Sequence, residues 1–337
     1  MSVEKLAQKY KIPLYIYDQK LIKDRAKCFL ENFKSEKFET EIIYATKAFS
    51  NLYVLGLLNE YKISSFDCVS KEEIFVALEA GIKSKNIHFH GNNKTKEELI
   101  YAIDKNISLI IIDSEDEYFL LKEILQDKNK KIDCLIRINP DVKTETHKFI
   151  QTSNADSKFG LNIRDENIEK IIGKIIEDEN INLLGFHAHI GSQVKNLDFF
   201  KEEAKIMTAF TKNIQEKFMV NFSHLNLGGG FGCKENFDDQ DLDLENFLKD
   251  LIIFMEDLFE KNKLEVKNLS IEPGRSLISN AGSILYMVGS KKETLEGYTL
   301  IFVDGGMADN IRPGLYGQNI LPLLQINLIV KKIKPIG

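Results

Sequence analysis

The sequence predicts an α/β protein, a (β/α)8 barrel with a second, smaller β domain. Three observations carry this. Eight short β-rich runs alternate with amphipathic segments, and chemistry-bearing side chains gather at the C-terminal ends of those runs, where barrel enzymes keep their chemistry. No GxGxxG fingerprint follows the first run, as an open dinucleotide-binding sheet would require. The runs are 42–48, 64–70, 87–92, 109–114, 134–139, 183–191, 224–230 and 269–275. Between them, KEEIFVALEAGI, TKEELIYAIDKN and LENFLKDLIIFMEDLF carry apolar residues at helical spacing. Eight such units in about 230 residues match the usual size of this barrel.

In chain order, residues 1–28 come first and contain the strand-like PLYIYD. The first barrel run ends on Lys47, in IIYATKA. An ammonium at the mouth of a packed strand costs several kcal/mol of desolvation unless something compensates. An imine to a carbonyl cofactor would do so; a lysine that snorkels to water is the plain alternative. The next four run ends bring Asp67, His90, Asp113 and Arg137.

The sixth run carries His187-Ala188-His189, followed by Gly191-Ser192. Residues two apart on a strand share a face, so this pair, with His88 and His90, suits either a metal or a flat aromatic cofactor. His88, His147 and His224 read better as core or surface residues. After the seventh run, Gly228-Gly229-Gly230 allows close approach of backbone N–H groups to an anion, or simply a tight turn. The eighth run ends in Glu272-Pro273-Gly274-Arg275. A buried carboxylate there needs a cationic partner, which a protonated pyridine nitrogen or Arg275 would supply. Beyond the barrel, GSILYMVGSKKE and YTLIFVDGG read as hairpin strands, and residues 303–316 form a Gly-rich loop with Arg312 and Tyr316. The expected domains are a barrel over 29–275 and a β domain from 1–28 plus 276–337.

Composition narrows the class of partner. A net charge of −6 over 337 residues offers no cationic footprint for nucleic acid or anionic lipid. Cys28, Cys68, Cys134 and Cys233 lack CxxC spacing, which fits a reducing cytoplasm. The opening MSVEKLAQKYKIP has no signal-peptide core, and no apolar run reaches membrane-span length.

Taken together, YATKA, HAHIGSQ, LNLGGGFG, EPGR and DGGMADNIRPGLYG resemble the fold-type III pyridoxal-phosphate decarboxylases. FDCVS, RINPDV and the stretch from Thr146-His147 to Lys158-Phe159-Gly160 extend the likeness over residues 1–317. HIGSQ, rather than the HVGSG of ornithine-type members, is similar to the diaminopimelate branch. The resemblance implies pyridoxal 5'-phosphate as cofactor and conversion of meso-2,6-diaminopimelate to L-lysine and carbon dioxide by a homodimer. It also implies roles. Lys47 holds the cofactor, His189 stacks on its ring and Glu272 pairs with the ring nitrogen. Ser192, Gly228, Gly229, Gly230, Pro273, Gly274 and Arg275 bind the rest of it, with the phosphate near the glycine turn. Arg275, Arg312 and Tyr316 hold the substrate carboxylate. The competing expectations are another basic amino acid decarboxylase, a metal-dependent barrel hydrolase and a non-catalytic homologue.

The pattern breaks after Gly317. No cysteine is followed by glutamate, so the family's Cys-Glu segment is missing, and QNILPLLQINLIVKKIKPIG is atypical. The expectation drawn is a truncated β domain, perturbed over 318–337, that still allows cofactor binding but lowers or abolishes turnover.

Overall fold

The computed structural model describes residues 2–63, 65–142, 157–234, 239–311, 315, 323–326 and 329–332. Two compact units emerge, one of Ile22–Gly232 with Leu242–Ile278 and the other of Met1–Leu21, Cys233–Asp241 and Ser279–Gly337. Its strands are β1 (Leu14–Tyr17), β2 (Glu39–Ala45), β3 (Ser65–Cys68), β4 (Ile87–Phe89), β5 (Leu109–Ile112), β6 (Ile132–Asn139), β7 (Leu161–Asn162), β8 (Ile181–His187), β9 (His224–Asn226), β10 (Asn268–Ile271), β11 (Gly282–Leu285), β12 (Val288–Glu293), β13 (Thr299–Val303), β14 (Leu323–Ile326) and β15 (Ile329–Lys332). The helices are α1 (Val3–Tyr10), α2 (Gln19–Asn32), α3 (Leu52–Glu60), α4 (Lys71–Glu79), α5 (Lys96–Asp104), α6 (Glu115–Lys128), α7 (Ile168–Ile176), α8 (Leu197–Phe218), α9 (Leu244–Asn262) and α10 (Arg275–Ile278).

In the larger unit, β2, β3, β4, β5, β6, β8, β9 and β10 pair in that order, all parallel, and β10 returns to β2. The sheet closes, so the eight expected runs are the eight barrel strands. Every barrel strand but β6, which runs to Asn139 as expected, stops before its expected end. The chemistry-bearing residues at 47, 90, 113, 189, 228–230 and 272–275 stand just beyond the ladders, where backbone groups are free to turn. Short connections follow from the caps. Asn51, Ser70, Thr95 and Ser114 each accept an N–H in the first turn of the helix they open.

Inner-face parity decides what the barrel encloses. Paired residues of parallel strands point the same way, so Ala45, Asp67, Leu135 with its partner Gly185, Arg137 with His187, and Asn226 share the inner face. Leu109, Ile111, Leu135 and Leu184 pack together as an apolar cluster. Outside, Phe29, Phe200, Phe231 and Phe247 interlock, with Phe200 and Phe231 stacked 4.8 Å apart.

One irregularity matters for function. Between Cys134 and Leu135 the pairing with β8 skips from Leu183 to Gly185, a β-bulge at Leu184. Without the bulge, Phe186 would face inward beside Arg137. With it, Phe186 turns outward against Phe210 and Phe222, and His187 takes the inner position. Gly185 permits the kink, since a Cβ there would stand 1.9 Å from the His224 carbonyl oxygen.

The smaller unit pairs β1 with β11 and β12 with β13, both antiparallel, and holds the β14–β15 pair. It is the second β domain, built from the N-terminal strand and the C-terminal segment. No helix among the described residues is long and apolar enough to cross a membrane.

Gly185→Ala should lose roughly 2–4 kcal/mol in urea unfolding, because the clash is with backbone that cannot yield. Gly289→Ala, with nothing within 4 Å, should be close to neutral in the same measurement.

Candidate active site

The buried polar residues of the barrel mouth centre on Glu272, which follows β10. Asn226 Nδ2 donates to its Oε1 at 2.8 Å, and His187 Nε2 lies 3.1 Å from Oε2. His90 Nε2 stands 3.1 Å from Oε1 and 3.8 Å from Asp67 Oδ1. The His90 and His187 rings meet edge to face, 4.9 Å between centroids. Burial alone would push the Glu272 carboxyl up, but His90 and His187 outweigh it and hold the group well below the usual carboxylate range. For Asp67 burial prevails and lifts the carboxyl to about 6, against the pull of His90. Burial pushes the imidazoles of His90 and His187 down, and that of His189 further, with Lys47 and Arg137 adding to the last.

Lys47 sits in the turn Thr46–Ala48 directly after β2 and is exposed. This corrects the desolvation argument, since the ammonium is not held in a packed strand. Its place in the site is nevertheless fixed. Ala45 N–H donates to the Pro273 carbonyl at 3.2 Å, and a Cβ on Gly274 would lie 3.1 Å from the Cβ atoms of Ala45 and Ala48. The turn bearing Lys47 is thus pressed onto the Glu272–Arg275 turn, and Lys47 bears electrostatically on Asp67, His187 and His189. Thr46 Oγ1, 2.8 Å from the Asp67 carbonyl and 2.6 Å from Glu73 Oε2, braces it from the other side.

The three glycines first serve close packing. A Cβ on Gly228 would meet the Ala188 carbonyl oxygen at 2.3 Å, one on Gly229 the Glu272 carbonyl oxygen at 2.1 Å, and one on Gly230 the Gly191 carbonyl oxygen at 2.3 Å. Gly228 N–H is spent on Asn226 Oδ1 and Gly229 N–H on His189 Nδ1. The expectation of a phosphate nest across all three is therefore corrected for Gly228 and Gly229. Because His189 Nδ1 accepts, its neutral ring carries the hydrogen on Nε2. Ser192 and Arg275 are half-buried near by in sequence, after His189 and Glu272, and Arg275 opens α10. Arg312, Tyr316 and His147 lie outside the described residues.

Arg137 is buried, 3.7 Å from Asp113 Oδ1 and with its guanidinium 4.5 Å from the Phe159 ring centroid. Asp113 Oδ2 accepts Gly160 N–H, and Glu117 Oε2 accepts Asp113 N–H. Glu117 in turn pairs at 2.7 Å with buried Lys94, which also donates to the carbonyls of Gly91 and Ile111. Of the residues set aside, His224 Nδ1 lies 2.7 Å from Ser223 Oγ, while buried His88 Nδ1 lacks a hydrogen-bond partner.

Of the two roles left open for the HxH pair, chelation finds no support, since the candidate ligand group among the described residues does not include His189. His187 is the last residue of β8, and His189 lies beyond it against Gly229. The group whose ligand atoms fall within 4.8 Å is instead His90, His187 and Glu272. It could hold a cation, but Lys47 and Arg137 already act on His187, so a further divalent charge would meet their repulsion. A planar, protonated nitrogen heterocycle fits better. The mouth offers an anionic Glu272, a flat neutral His189, glycine surfaces that a Cβ would fill, and buried atoms at Asp67 Oδ1 and His90 Nε2 without hydrogen bonds. Asn226 and Glu203 went unnoticed in the sequence. Asn226 could have been found as the polar residue inside LNLGGG, whereas Glu203 is a helical glutamate like many others.

Comparison with known proteins agrees with this geometry. Residues 19–279 match the family model described as pyridoxal-dependent decarboxylase, pyridoxal binding domain. The chain belongs to the pyridoxal-dependent decarboxylase family. It is 39% identical over 311 residues to the diaminopimelate decarboxylase of Bacillus subtilis strain 168, covering 92% of this chain and 71% of that one. It is 37% identical over 324 residues to the Staphylococcus aureus strain COL diaminopimelate decarboxylase, covering 96% and 75%. Among solved structures, the M. jannaschii diaminopimelate decarboxylase in complex with L-lysine superposes with a TM-score of 0.87 at 32% identity, over 99% of this chain and 81% of that one.

Asp67 makes the buried cluster at the barrel mouth sensitive to pH. Its carboxyl binds a proton more tightly in the fold (about 6, against 3.8). Asp67 therefore adds stability at low pH, and the contribution is lost as pH rises through about 6. Relative to Asp67→Asn, the wild-type unfolding free energy should fall by about 2 kcal/mol between about pH 4 and about pH 7. Parallel urea-denaturation curves at the two pH values would refute this.

Proposed function

We propose that this chain is a pyridoxal-phosphate-dependent diaminopimelate decarboxylase, which removes carbon dioxide from meso-2,6-diaminopimelate and leaves L-lysine. The observation that carries the reading is the contact between the turn bearing exposed Lys47 and the turn that begins at buried Glu272. Identity of 31–39% to diaminopimelate decarboxylases supports the choice of substrate. Homodimeric assembly follows from the family resemblance, and cytoplasmic location suits four cysteines that form no disulfide.

In this role Lys47 Nζ would hold the cofactor, and its exposed position would let a substrate amine reach the same place. The neutral imidazole of His189 would supply a flat face for the ring, and the carboxylate of Glu272 would accept from a protonated ring nitrogen. Ser192, Gly230 and the backbone of residues 273–275 bind around the phosphate. Arg275, with Arg312 and Tyr316, holds the carboxylate that is retained. Bound there, pyridoxal phosphate supplies an electron sink for the pair released as the carbon–carboxylate bond breaks. The buried carboxylate of Glu272 keeps that sink cationic, and the dry ring around it keeps the interaction strong.

With pyridoxal phosphate added, the protein should show a visible absorbance band that Lys47→Ala lacks. Lysine release from meso-diaminopimelate should exceed turnover of ornithine or arginine, and Lys47→Ala should lower it at least about a thousandfold. Identical spectra for the two proteins, or preferred turnover of ornithine, would overturn the proposal.

A further inference from the structure

Glu272 is approached by three nitrogen atoms from three different strand ends. Asn226 Nδ2 donates to Oε1, His187 Nε2 lies 3.1 Å from Oε2, and His90 Nε2 lies 3.1 Å from Oε1. An ionised carboxylate only accepts, so a nitrogen facing it carries its hydrogen. For His187 that leaves Nδ1 bare, and Nδ1 is indeed a buried atom without a hydrogen-bond partner. His90 Nε2 faces both Glu272 and Asp67, so a lone pair there would point at two oxygen-rich groups; its hydrogen belongs on the same side. Two carboxylate oxygens offer about four acceptor directions; Asn226 and His187 take two, and His90 Nε2, 3.1 Å from Oε1 but not aligned as a hydrogen bond, crowds a third.

We infer that His187 and His90 are positioning residues that keep Glu272 ionised and fix its free acceptor direction, so that it holds the cofactor's ring nitrogen protonated. This rests on the reading that Glu272 faces that nitrogen. Neither imidazole needs to touch the cofactor; each acts through Glu272. Asp67, Lys47 and Arg137 also face this cluster, but none of the three donates a hydrogen bond to Glu272 in the ring of contacts described. The bulge at Leu184 and Gly185 has its functional consequence here, since it puts a donor where Phe186 would otherwise stand. If the His187 donor is lost, burial drives the Glu272 carboxyl to keep a proton itself. That proton leaves the ring nitrogen, and a neutral ring is the weaker electron sink.

The test loads the full chain with pyridoxal phosphate carrying 15N in the ring and reads the nitrogen chemical shift at neutral pH, with affinity from equilibrium dialysis. Wild type should show the pyridinium position. His187→Phe, which keeps a ring but no donor, should move to the neutral-pyridine position and bind about tenfold more weakly. His187→Gln, which restores an N–H, should stay at the pyridinium position. Should His187→Phe fail to fold, His90→Phe against His90→Gln makes the same comparison. A pyridinium signal with wild-type affinity in the phenylalanine variants would overturn the inference, as would phenylalanine and glutamine variants that behave alike. A wild-type protein that binds the cofactor with a neutral ring would overturn this inference alone. One that binds no cofactor would overturn the proposed function and this inference with it.

Discussion

A single buried negative charge, the carboxylate of Glu272, sets terms for the whole barrel mouth. Removing such a group from water costs several kcal/mol unless donors surround it. Its nitrogen neighbours come from the ends of three separate strands, Asn226 on β9, His187 on β8 and His90 just past β4. Only a closed parallel sheet brings those ends to one place with their side chains facing inward together. Helix-entry carboxylates then stiffen the rim. Glu73 accepts Val69 N–H and Glu117 accepts Asp113 N–H, so two strand-to-helix turns are tied to the helices that follow them. Lys94 fastens the loop after His90 to Glu117 from below, at 1% side-chain exposure.

Much of the fold was legible because barrel strands are short apolar runs between amphipathic helices, and all eight runs proved to be barrel strands. Their ends were not legible. A ladder stops where its partner strand stops, and a single run carries no record of its partner. The bulge in β8 was invisible for a related reason. Unbroken pairing would set Leu184 beside Leu135 and Phe186 beside Arg137, whereas the register skip brings Gly185 and His187 to those places. His189 parts from His187 for another reason: the ladder ends at His187, so no pairing fixes the face of the residues after it.

The site was legible in its residues more than in its reasons. Lys47 lies beside the Glu272–Arg275 turn, but as an exposed residue of a short turn and not as a desolvated strand end. The glycine triplet was ambiguous between turn and nest, and the geometry resolves most of it into packing, since two of its N–H groups are already used inside the protein. Asn226 escaped notice because one amide in an apolar run looks incidental until its two hydrogen bonds are seen. Glu203 is the extreme case. It is fully buried, with both oxygens lacking hydrogen-bond partners and burial pushing its carboxyl well up, yet its sequence context is an ordinary helix.

The contrast between Glu272 and Lys47 is what the proposed chemistry needs. A group that keeps a ring nitrogen protonated must be dry, because water would screen it, and fixed, because the stabilised charge has a direction. A lysine that trades its bond for an incoming amine must instead be reachable and free to move aside. One strand end therefore buries its carboxylate under three nitrogens, while the strand beside it ends in small residues. Ala45 and Ala48 let Gly274 come within contact distance, so the two groups share one rim although their surroundings differ. Replacing either alanine by a larger side chain would push the turns apart before it touched Lys47 itself. The small residues of YATKA are thus as much a part of the site's construction as the lysine they flank.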